Sequence, residues 1–191
     1  YVAGGELESR AESFSGLEAA SIIAALGIIA VLVLEFGSFK STLIVLSVVP
    51  FGIAGGIVLL ALTGNTISFT AMIGFIALVG IETKNSILLV DFTNRLRAEG
   101  VALDEAIERA GEIRFLPILL TSATAIGALL PLALQSSGMY SPLAWVIIGG
   151  LLSSTLVARV VTPVMYKLLP PSIDGAAARA PADVATPGAL P

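Results

Sequence analysis

The sequence predicts an all-α membrane protein with five transmembrane helices. Of its 191 residues, 56% are hydrophobic and only 13% are charged, and the mean hydropathy is +0.98. This composition is typical of membrane proteins rather than soluble ones. Five apolar stretches are long enough to cross a hydrocarbon core of about 30 Å, which takes about 20 helical residues. The absence of Cys and His excludes disulfides and the commonest metal ligand and general base.

The predicted spans are 17–36, 41–63, 66–92, 115–134 and 143–169. The first has Glu18 and Glu35 near its ends, the second has no charge, and the third carries Lys84. A charge-free run from residue 115 to residue 158 is too long for a single crossing. Its polar interruption at 135–142, which includes Gly138 and Pro142, separates the fourth span from the fifth.

The positions of Lys and Arg predict how the spans are oriented. Short connections make consecutive helices antiparallel, and basic residues collect on the cytoplasmic side. The connections at 64–65 and 135–141 contain no basic residue. The opposite side receives Lys40, Arg95, Arg97, Arg109, Arg114, Arg159 and Lys167. We therefore expect a periplasmic N-terminus and a cytoplasmic C-terminus.

Three segments are predicted to lie outside the membrane. Residues 1–16 are polar and are expected to be the end of an external domain. Residues 102–112 place apolar side chains at helical spacing opposite charged ones, which predicts an amphipathic helix on the cytoplasmic surface. Residues 170–191 are rich in Ala, Pro and Gly and are expected to be a disordered cytoplasmic tail. The chain opens on Tyr1, in the middle of the polar pattern of residues 1–16, so we expect a fragment of a longer protein.

Lys84 is the residue most indicative of function. An ammonium at membrane depth costs about 2.5–3.5 kcal/mol on insertion scales, so it persists where it has a partner and a role. Glu82 lies about 200° away around the helix and faces nearly the opposite way. Asp91 shares the face but lies about 10 Å along the axis, and is better placed to pair with Arg95. We therefore expect an acidic partner from outside this chain. The simpler alternative is that Lys84 only holds helices together.

Two motifs resemble those of one transporter family. The segment 80–92, Gly-Ile-Glu-Thr-Lys-Asn-Ser-Ile-Leu-Leu-Val-Asp-Phe, resembles the tenth transmembrane helix of the resistance-nodulation-division (RND) multidrug efflux permeases. The segment 114–122, Arg-Phe-Leu-Pro-Ile-Leu-Leu-Thr-Ser, resembles the start of their eleventh helix. Residues 4–14 are similar to the last piece of their periplasmic porter domain, and 36–40 and 49–51 are similar to parts of helices eight and nine. The resemblance covers about residues 1–170 and implies that the chain holds helices eight to twelve.

The resemblance also implies a mechanism and partners. These permeases are proton antiporters that form homotrimers in the bacterial inner membrane, with a periplasmic adaptor and an outer-membrane channel. Their cargo is drugs or other amphiphilic small molecules, and protons are the coupling ion. No cofactor and no nucleic acid is implied. In the family, the Lys that matches Lys84 faces two aspartates on the fourth helix, which belongs to the N-terminal half missing here. The candidate proton-relay residues are Lys84, Asn85, Thr121, Arg114 and Asp91.

Several alternatives remain open on the sequence. Asn85 suits either a hydrogen bond near the relay or contact between helices. Thr121 suits either the relay or a bond to its own helix, and Asp91 either the relay or an ion pair with Arg95. Glu82 stands where multidrug members more often have a small residue, so it either alters local proton affinity or faces another helix. The Lys-Asn pair favours drug export. Export of lipid, metal or protein cargo is the alternative within the family, and a non-transporting regulatory module is the alternative outside it.

Overall fold

The computed structural model describes residues 3–135 and 138–171, with side chains from Phe14 onward. Within those ranges the chain is helical and has no strand. The helices are α1 (Ala3–Phe36), α2 (Phe39–Leu46), α3 (Val49–Leu62), α4 (Phe69–Ala98), α5 (Leu103–Ala133) and α6 (Ser141–Leu168). They supply five segments that are long and apolar enough to cross a membrane: Phe14–Phe36, Phe39–Leu62, Phe69–Ala98, Leu103–Ala133 and Ser141–Leu168. The predicted all-α fold with five spans is confirmed.

The second span is divided into α2 and α3. Residues Ser47 and Val48 separate the two helices, and Pro50 lies in the first turn of α3. Proline is accepted there because the first N–H groups of a helix have no intrahelical partner. The Ser47 hydroxyl donates to the carbonyl of Ile44 at 2.6 Å, which satisfies one of the free carbonyls at the end of α2.

Helix α5 is longer than the sequence predicts. The expected surface helix at 102–112 and the expected span at 115–134 form one continuous helix. The apolar side chains Ala106, Ile107 and Ala110 on this segment are buried against the rest of the chain. Helix α1 similarly extends back to Ala3, so the expected external segment 1–16 is largely helical and runs directly into the first span, which begins at Phe14. The expected tail at 170–191 lies outside the described residues, apart from Pro170 and Pro171.

Helix α6 is the centre of the bundle and contacts α2, α3, α4 and α5. Its closest partner is α3, through glycines on both helices. A Cβ atom added at Gly149 would lie 2.6 Å from the carbonyl oxygen of Gly55, and one added at Gly55 would lie 2.6 Å from that of Gly149. The Ser153 hydroxyl donates across the same contact to the carbonyl of Phe51 at 2.9 Å. The glycines thus bring the two backbones together, as small residues do in membranes.

The termini of several helices meet at one end of the bundle, which we call the basic end. There Lys40 donates to the carbonyl of Pro170 at 3.4 Å, and Arg97 donates to that of Pro171 at 2.9 Å. Lys167 pairs with Asp104 at 2.6 Å. These contacts join the beginning of α2, the ends of α4 and α6 and the beginning of α5. The alternating direction of the spans therefore places these basic residues on one side, as their spacing predicts.

We predict that Gly149→Ala destabilises the protein because its methyl group has no room against α3. Overpacking of this kind costs about 1–3 kcal/mol. Thermal unfolding of the intact protein in detergent should show a clear loss of stability. The matched control is Gly127→Ala, since a Cβ at Gly127 meets nothing within 4 Å and alanine is the better helix former. Equal stability of the two variants would contradict the close α3–α6 packing.

Candidate functional site

Helix α4 presents opposite charges on opposite faces. Its N-terminus is capped by Ser68, whose hydroxyl accepts from the backbone N–H of Ala71 at 3.3 Å. Further along, Glu82 is buried in the bundle, whereas Lys84 is exposed. This agrees with the angle of about 200° that two helical residues subtend. The helix thus directs a cation outward and an acid inward at nearly the same depth.

Lys84 opens onto a groove between α4 and α5 with a volume of about 240 Å³. Four of the predicted relay residues line this groove: Lys84, Asn85, Arg114 and Thr121. The rest of the lining is Ile81, Leu88, Pro117, Ile118, Ser122 and Leu151. We call this space the cationic groove. Two stretches about 30 residues apart in the sequence therefore build one site, as their joint resemblance to the family motifs implies.

The register of the two helices is set by Arg114 and Phe92. The guanidinium carbon of Arg114 lies 4.6 Å from the centroid of the Phe92 ring, a favourable cation–π distance. From this contact Lys84 is eight residues back along α4 and Ser122 is eight residues forward along α5. Both steps cover about 12 Å in the same direction, because the helices are antiparallel. Lys84 therefore lies at the level of Thr121 and Ser122.

The charges of the groove are not balanced within the described part of the chain. Among the side chains of residues 14–135 and 138–171, the ion pairs are Asp91–Arg95, Glu105–Arg109 and Asp104–Lys167, and none includes Lys84 or Arg114. The Nε atom of Arg114 is buried and has no hydrogen-bond acceptor among these residues. A buried donor without an acceptor costs about 1–3 kcal/mol. Two cations and an unsatisfied donor therefore line one space with no acid among the described side chains.

The other predicted relay residues occupy distinct positions. Asn85 lines both the cationic groove and a smaller inner space on the other side of α4. The Thr121 hydroxyl donates to its own helix, to the carbonyls of Pro117 at 3.1 Å and Ile118 at 2.8 Å. Asp91 does not line the groove, and pairs with Arg95 at 3.0 Å as the i,i+4 spacing predicts. The structure thus brings four of the five candidates together and leaves Asp91 outside the groove.

Glu82 has a partner that the sequence did not identify. The carboxyl is 2% exposed, and its Oε1 atom is hydrogen-bonded to the hydroxyl of Ser154 on α6. Its Cγ atom would lie 3.3 Å from a Cβ at Gly52 on α3, so it fills the space that this glycine leaves. The sequence feature that could have indicated this partner is the polar run Ser153-Ser154-Thr155 within a largely apolar helix. Of the two alternatives for Glu82, the structure shows that it faces another helix.

Comparison with known proteins identifies the family. The model of the AcrB/AcrD/AcrF family matches residues 1–170. The chain belongs to this family of RND permeases. It is 39% identical over 170 residues to the swarming motility protein SwrC of Bacillus subtilis, covering 87% of this chain and 16% of SwrC. It is 35% identical over 168 residues to the cobalt-zinc-cadmium resistance protein CzcA of Cupriavidus metallidurans, covering 86% of this chain and 16% of CzcA.

Further matches show that the family's cargo is diverse. The multidrug resistance protein MdtC of Erwinia tasmaniensis is 39% identical over 140 residues, covering 71% of this chain and 14% of MdtC. The crystal structure of a heavy metal efflux pump superposes with a TM-score of 0.74 at 33% identity, covering 87% of this chain and 17% of the pump. The chain thus spans about one sixth of the length of these relatives. It shares the RND transmembrane fold with relatives named for drugs and for metals alike.

We predict that cysteines at Asn85 and Thr121 can be joined by a short bifunctional thiol reagent. Both positions line the groove, and the native chain has no Cys to compete. Mobility on a denaturing gel after proteolysis between the two positions reports the link. The control pair at Asp91 and Thr121 should not link, because Asp91 is six residues, or about 9 Å, further along α4. Linking of the control pair alone would contradict the groove.

Proposed function

We propose that this chain is the C-terminal transmembrane portion of a proton-driven exporter, in which the cationic groove couples protonation to helix movement. The observation that carries this proposal is that Lys84 and Arg114 line the same groove. Within residues 14–135 and 138–171, neither of them forms an ion pair with an acid. Ionisable residues at membrane depth typically mark ion or proton pathways. Membership of the RND family supports the same conclusion.

The anion in this proposal comes from the N-terminal half of the intact protein. By the family resemblance it is a pair of aspartates on the fourth helix, which would enter the groove opposite Lys84. Two unit charges 4 Å apart attract by about 4 kcal/mol at an effective dielectric constant of about 20. Protonation of the aspartates removes this attraction, which is enough to shift a two-state helix packing by about a thousandfold. Asn85 and Thr121 then orient the groups that exchange the proton, and Arg114 holds the second carboxylate.

The wider assembly is part of the same proposal. The intact exporter would have twelve spans in two halves and would act as a homotrimer in the bacterial inner membrane. A periplasmic adaptor and an outer-membrane channel would complete the path. The N-terminus of the present chain would be periplasmic, and the basic end of the bundle would face the cytoplasm, following the positive-inside rule.

The cargo we propose is amphiphilic small molecules, including drugs. The Lys84-Asn85 pair supports this assignment, together with the 39% identity to MdtC. Metal cargo is the second candidate, and it is supported by the identity to CzcA and by the match to a heavy metal efflux pump. Export assays of the intact protein with cationic dyes and with Co²⁺, Zn²⁺ and Cd²⁺ separate the two. Dye export that metal ions do not affect would favour the first.

We predict that Lys84→Met in the intact transporter abolishes proton-driven export while membrane insertion stays normal. The variant removes the cation that pairs with the aspartates but keeps a long side chain at the position. Proteoliposomes with an imposed pH gradient measure export, and protease protection measures insertion. The matched control is Lys167→Met, which removes a half-exposed pair with Asp104 at the basic end that contributes at most about 1 kcal/mol. Full export by Lys84→Met would refute the coupling role of the groove.

We predict that Thr121→Ser keeps export near the native level and that Thr121→Val lowers it. Serine retains the hydroxyl that faces the groove, whereas valine has almost the same shape without it. Loss of a single neutral hydrogen bond corresponds to about 1 kcal/mol, or about a fivefold change in rate. The same proteoliposome assay applies. Equal rates for serine and valine would show that Thr121 only satisfies carbonyls of its own helix.

A further inference from the structure

The coupling proposed at Lys84 does not use the buried carboxyl of Glu82. The groups around Glu82 indicate a separate role for it. Glu82 lies between α3, α4 and α6 near the level of Lys84 but on the opposite face of the helix. An ionised carboxylate at this depth is costly unless a cation accompanies it. Its hydrogen-bond partner is the neutral hydroxyl of Ser154. An ionised Glu82 would therefore need a cation from a neighbouring element.

No charged group from the surrounding helices contacts Glu82 within the described side chains. Helix α3, which packs on it through Gly52, has no titratable residue. Helix α4 itself carries Lys84 on the opposite face and Asp91, Arg95 and Arg97 towards the basic end. Among the side chains that the structure describes, the titratable residues of the other helices packed against α4 or α6 are Glu18 and Glu35 on α1, Lys40 on α2, Asp104, Glu105, Glu108, Arg109, Glu112 and Arg114 on α5, and Arg159, Tyr166 and Lys167 on α6. None of these is bonded to Glu82, which favours the protonated acid.

The hydrogen-bond inventory agrees with a protonated carboxyl. A hydroxyl has one hydrogen, and the Ser154 oxygen is also placed to donate to the carbonyl of Leu151 at 3.3 Å. If Ser154 donates to Leu151, it can accept the hydrogen of a carboxylic acid at Glu82. The Ser154 hydroxyl and the Oε1 atom of Glu82 are then both hydrogen-bonded without any buried charge. Release of that proton would turn the Ser154 hydrogen towards the carboxylate, so the pair can accommodate both protonation states.

A small cavity beside Glu82 can hold the water that such a site needs. Its volume is about 20 Å³, and its polar lining residues are Glu82, Asn85, Ser86, Ser154, Thr155 and Thr162. A volume of roughly 10–15 Å³ is enough for one water molecule with polar partners. The Thr162 hydroxyl is buried, with 3% of the residue exposed, and it has no hydrogen-bond partner among the described residues. A water in the cavity would satisfy this hydroxyl and exchange protons with Glu82.

Hydroxyl groups connect this cavity to the cationic groove. Thr155 lines the cavity and donates to the hydroxyl of Ser122 at 2.9 Å, and Ser122 lines the groove. Asn85 lies on the wall between the two spaces. Towards the basic end, the cavity adjoins a further space of about 50 Å³, which Thr155 and Thr162 also line. The Thr155–Ser122 pair gives Glu82 a hydroxyl route to the groove.

We propose that Glu82 is a second proton-binding site of the transporter, loaded from the cationic groove through the Thr155–Ser122 hydroxyl pair. This rests on the proposed function, since it adds a proton carrier to the coupling at Lys84. In the loading step a water in the cavity gives one proton to the Glu82 carboxylate, and Thr155 gives its hydroxyl proton to that water. Ser122 then gives its hydroxyl proton to Thr155 and takes one proton from the groove, so one O–H bond breaks for each that forms.

The direct test is infrared difference spectroscopy of the intact transporter between low and high pH. A protonated Glu82 contributes a carboxylic-acid carbonyl band that rises as pH falls, and Glu82→Gln should lose this band. Ser154→Ala keeps the carboxyl but removes its hydrogen-bond partner, so the band should shift in frequency. If Glu82→Gln fails to fold, the Ser154→Ala shift still decides the assignment. A native spectrum with no band that either variant changes would overturn the proposal.

Transport measurements give the second readout. In proteoliposomes driven by a pH gradient, we expect Glu82→Gln to lower the export rate by about tenfold or more, as when a proton-carrying group is replaced by one that cannot exchange protons. Thr155→Val should slow export and move its pH profile. The packing control is Gly52→Ala, which crowds Glu82 but leaves the carboxyl, so the pH profile should stay native. A native rate and pH profile for Glu82→Gln would overturn the proposal.

The two proposals fail in distinguishable ways. If Lys84→Met exports normally, the coupling role of the groove is wrong, but the infrared band still reports whether Glu82 binds a proton. If Lys84→Met is inactive and Glu82→Gln is fully active with a native pH profile, the groove functions without a second site. Loss of activity in both variants, with the Glu82 band present in the native protein, is the expected result.

Discussion

The cost of a charge in hydrocarbon is the constraint on which the rest of this structure depends. Glu82 and Lys84 are two residues apart on α4, so helical geometry directs them to opposite faces and they cannot neutralise each other. Each charge must therefore be accommodated by a different neighbour. The acid is placed in the interior against Ser154 and Gly52, and the cation faces a groove that opens away from the bundle. One helix thus divides the membrane unit into an inner polar side and an outer cationic side.

The packing of α6 makes this division possible. Its glycine contact with α3 brings two backbones so close that neither position accepts a methyl group. The same approach places Ser153 and Ser154 against α3 and α4, where their hydroxyls find a carbonyl and a carboxyl. Because α4 and α6 are parallel, Glu82–Ser154 and Asn94–Tyr166 repeat the same offset of 72 residues. One register between α4 and α6 therefore places both polar pairs.

Much of this architecture could be predicted from the sequence, because its determinants are local. Apolar length gives the spans, the i,i+4 spacing gives the Asp91–Arg95 pair, and paired glycines give the α3–α6 approach. The break at Ser47 and Val48 and the continuation of α5 through Gly111 were not predicted. In both places the local residues permit more than one backbone geometry, and the helix bounds are seen only in the folded chain. The same holds for Ser154, since its contact with Glu82 depends on the rotation of α6 about its axis.

The candidate site shows the same boundary between local and tertiary information. Family motifs identified Lys84, Asn85, Arg114 and Thr121, but only the antiparallel register of α4 and α5 shows that they share a groove and that Asp91 does not. Nothing in the periodicity of α4 separates Asp91 from Lys84, since both lie on one helical face. What separates them is depth along the helix. Asp91 is next to Phe92, at the level of the Arg114 contact, whereas Lys84 is eight residues, or about 12 Å, further from the basic end. At its depth Asp91 pairs with Arg95 on its own helix, whereas Lys84 has no acidic partner among the described side chains.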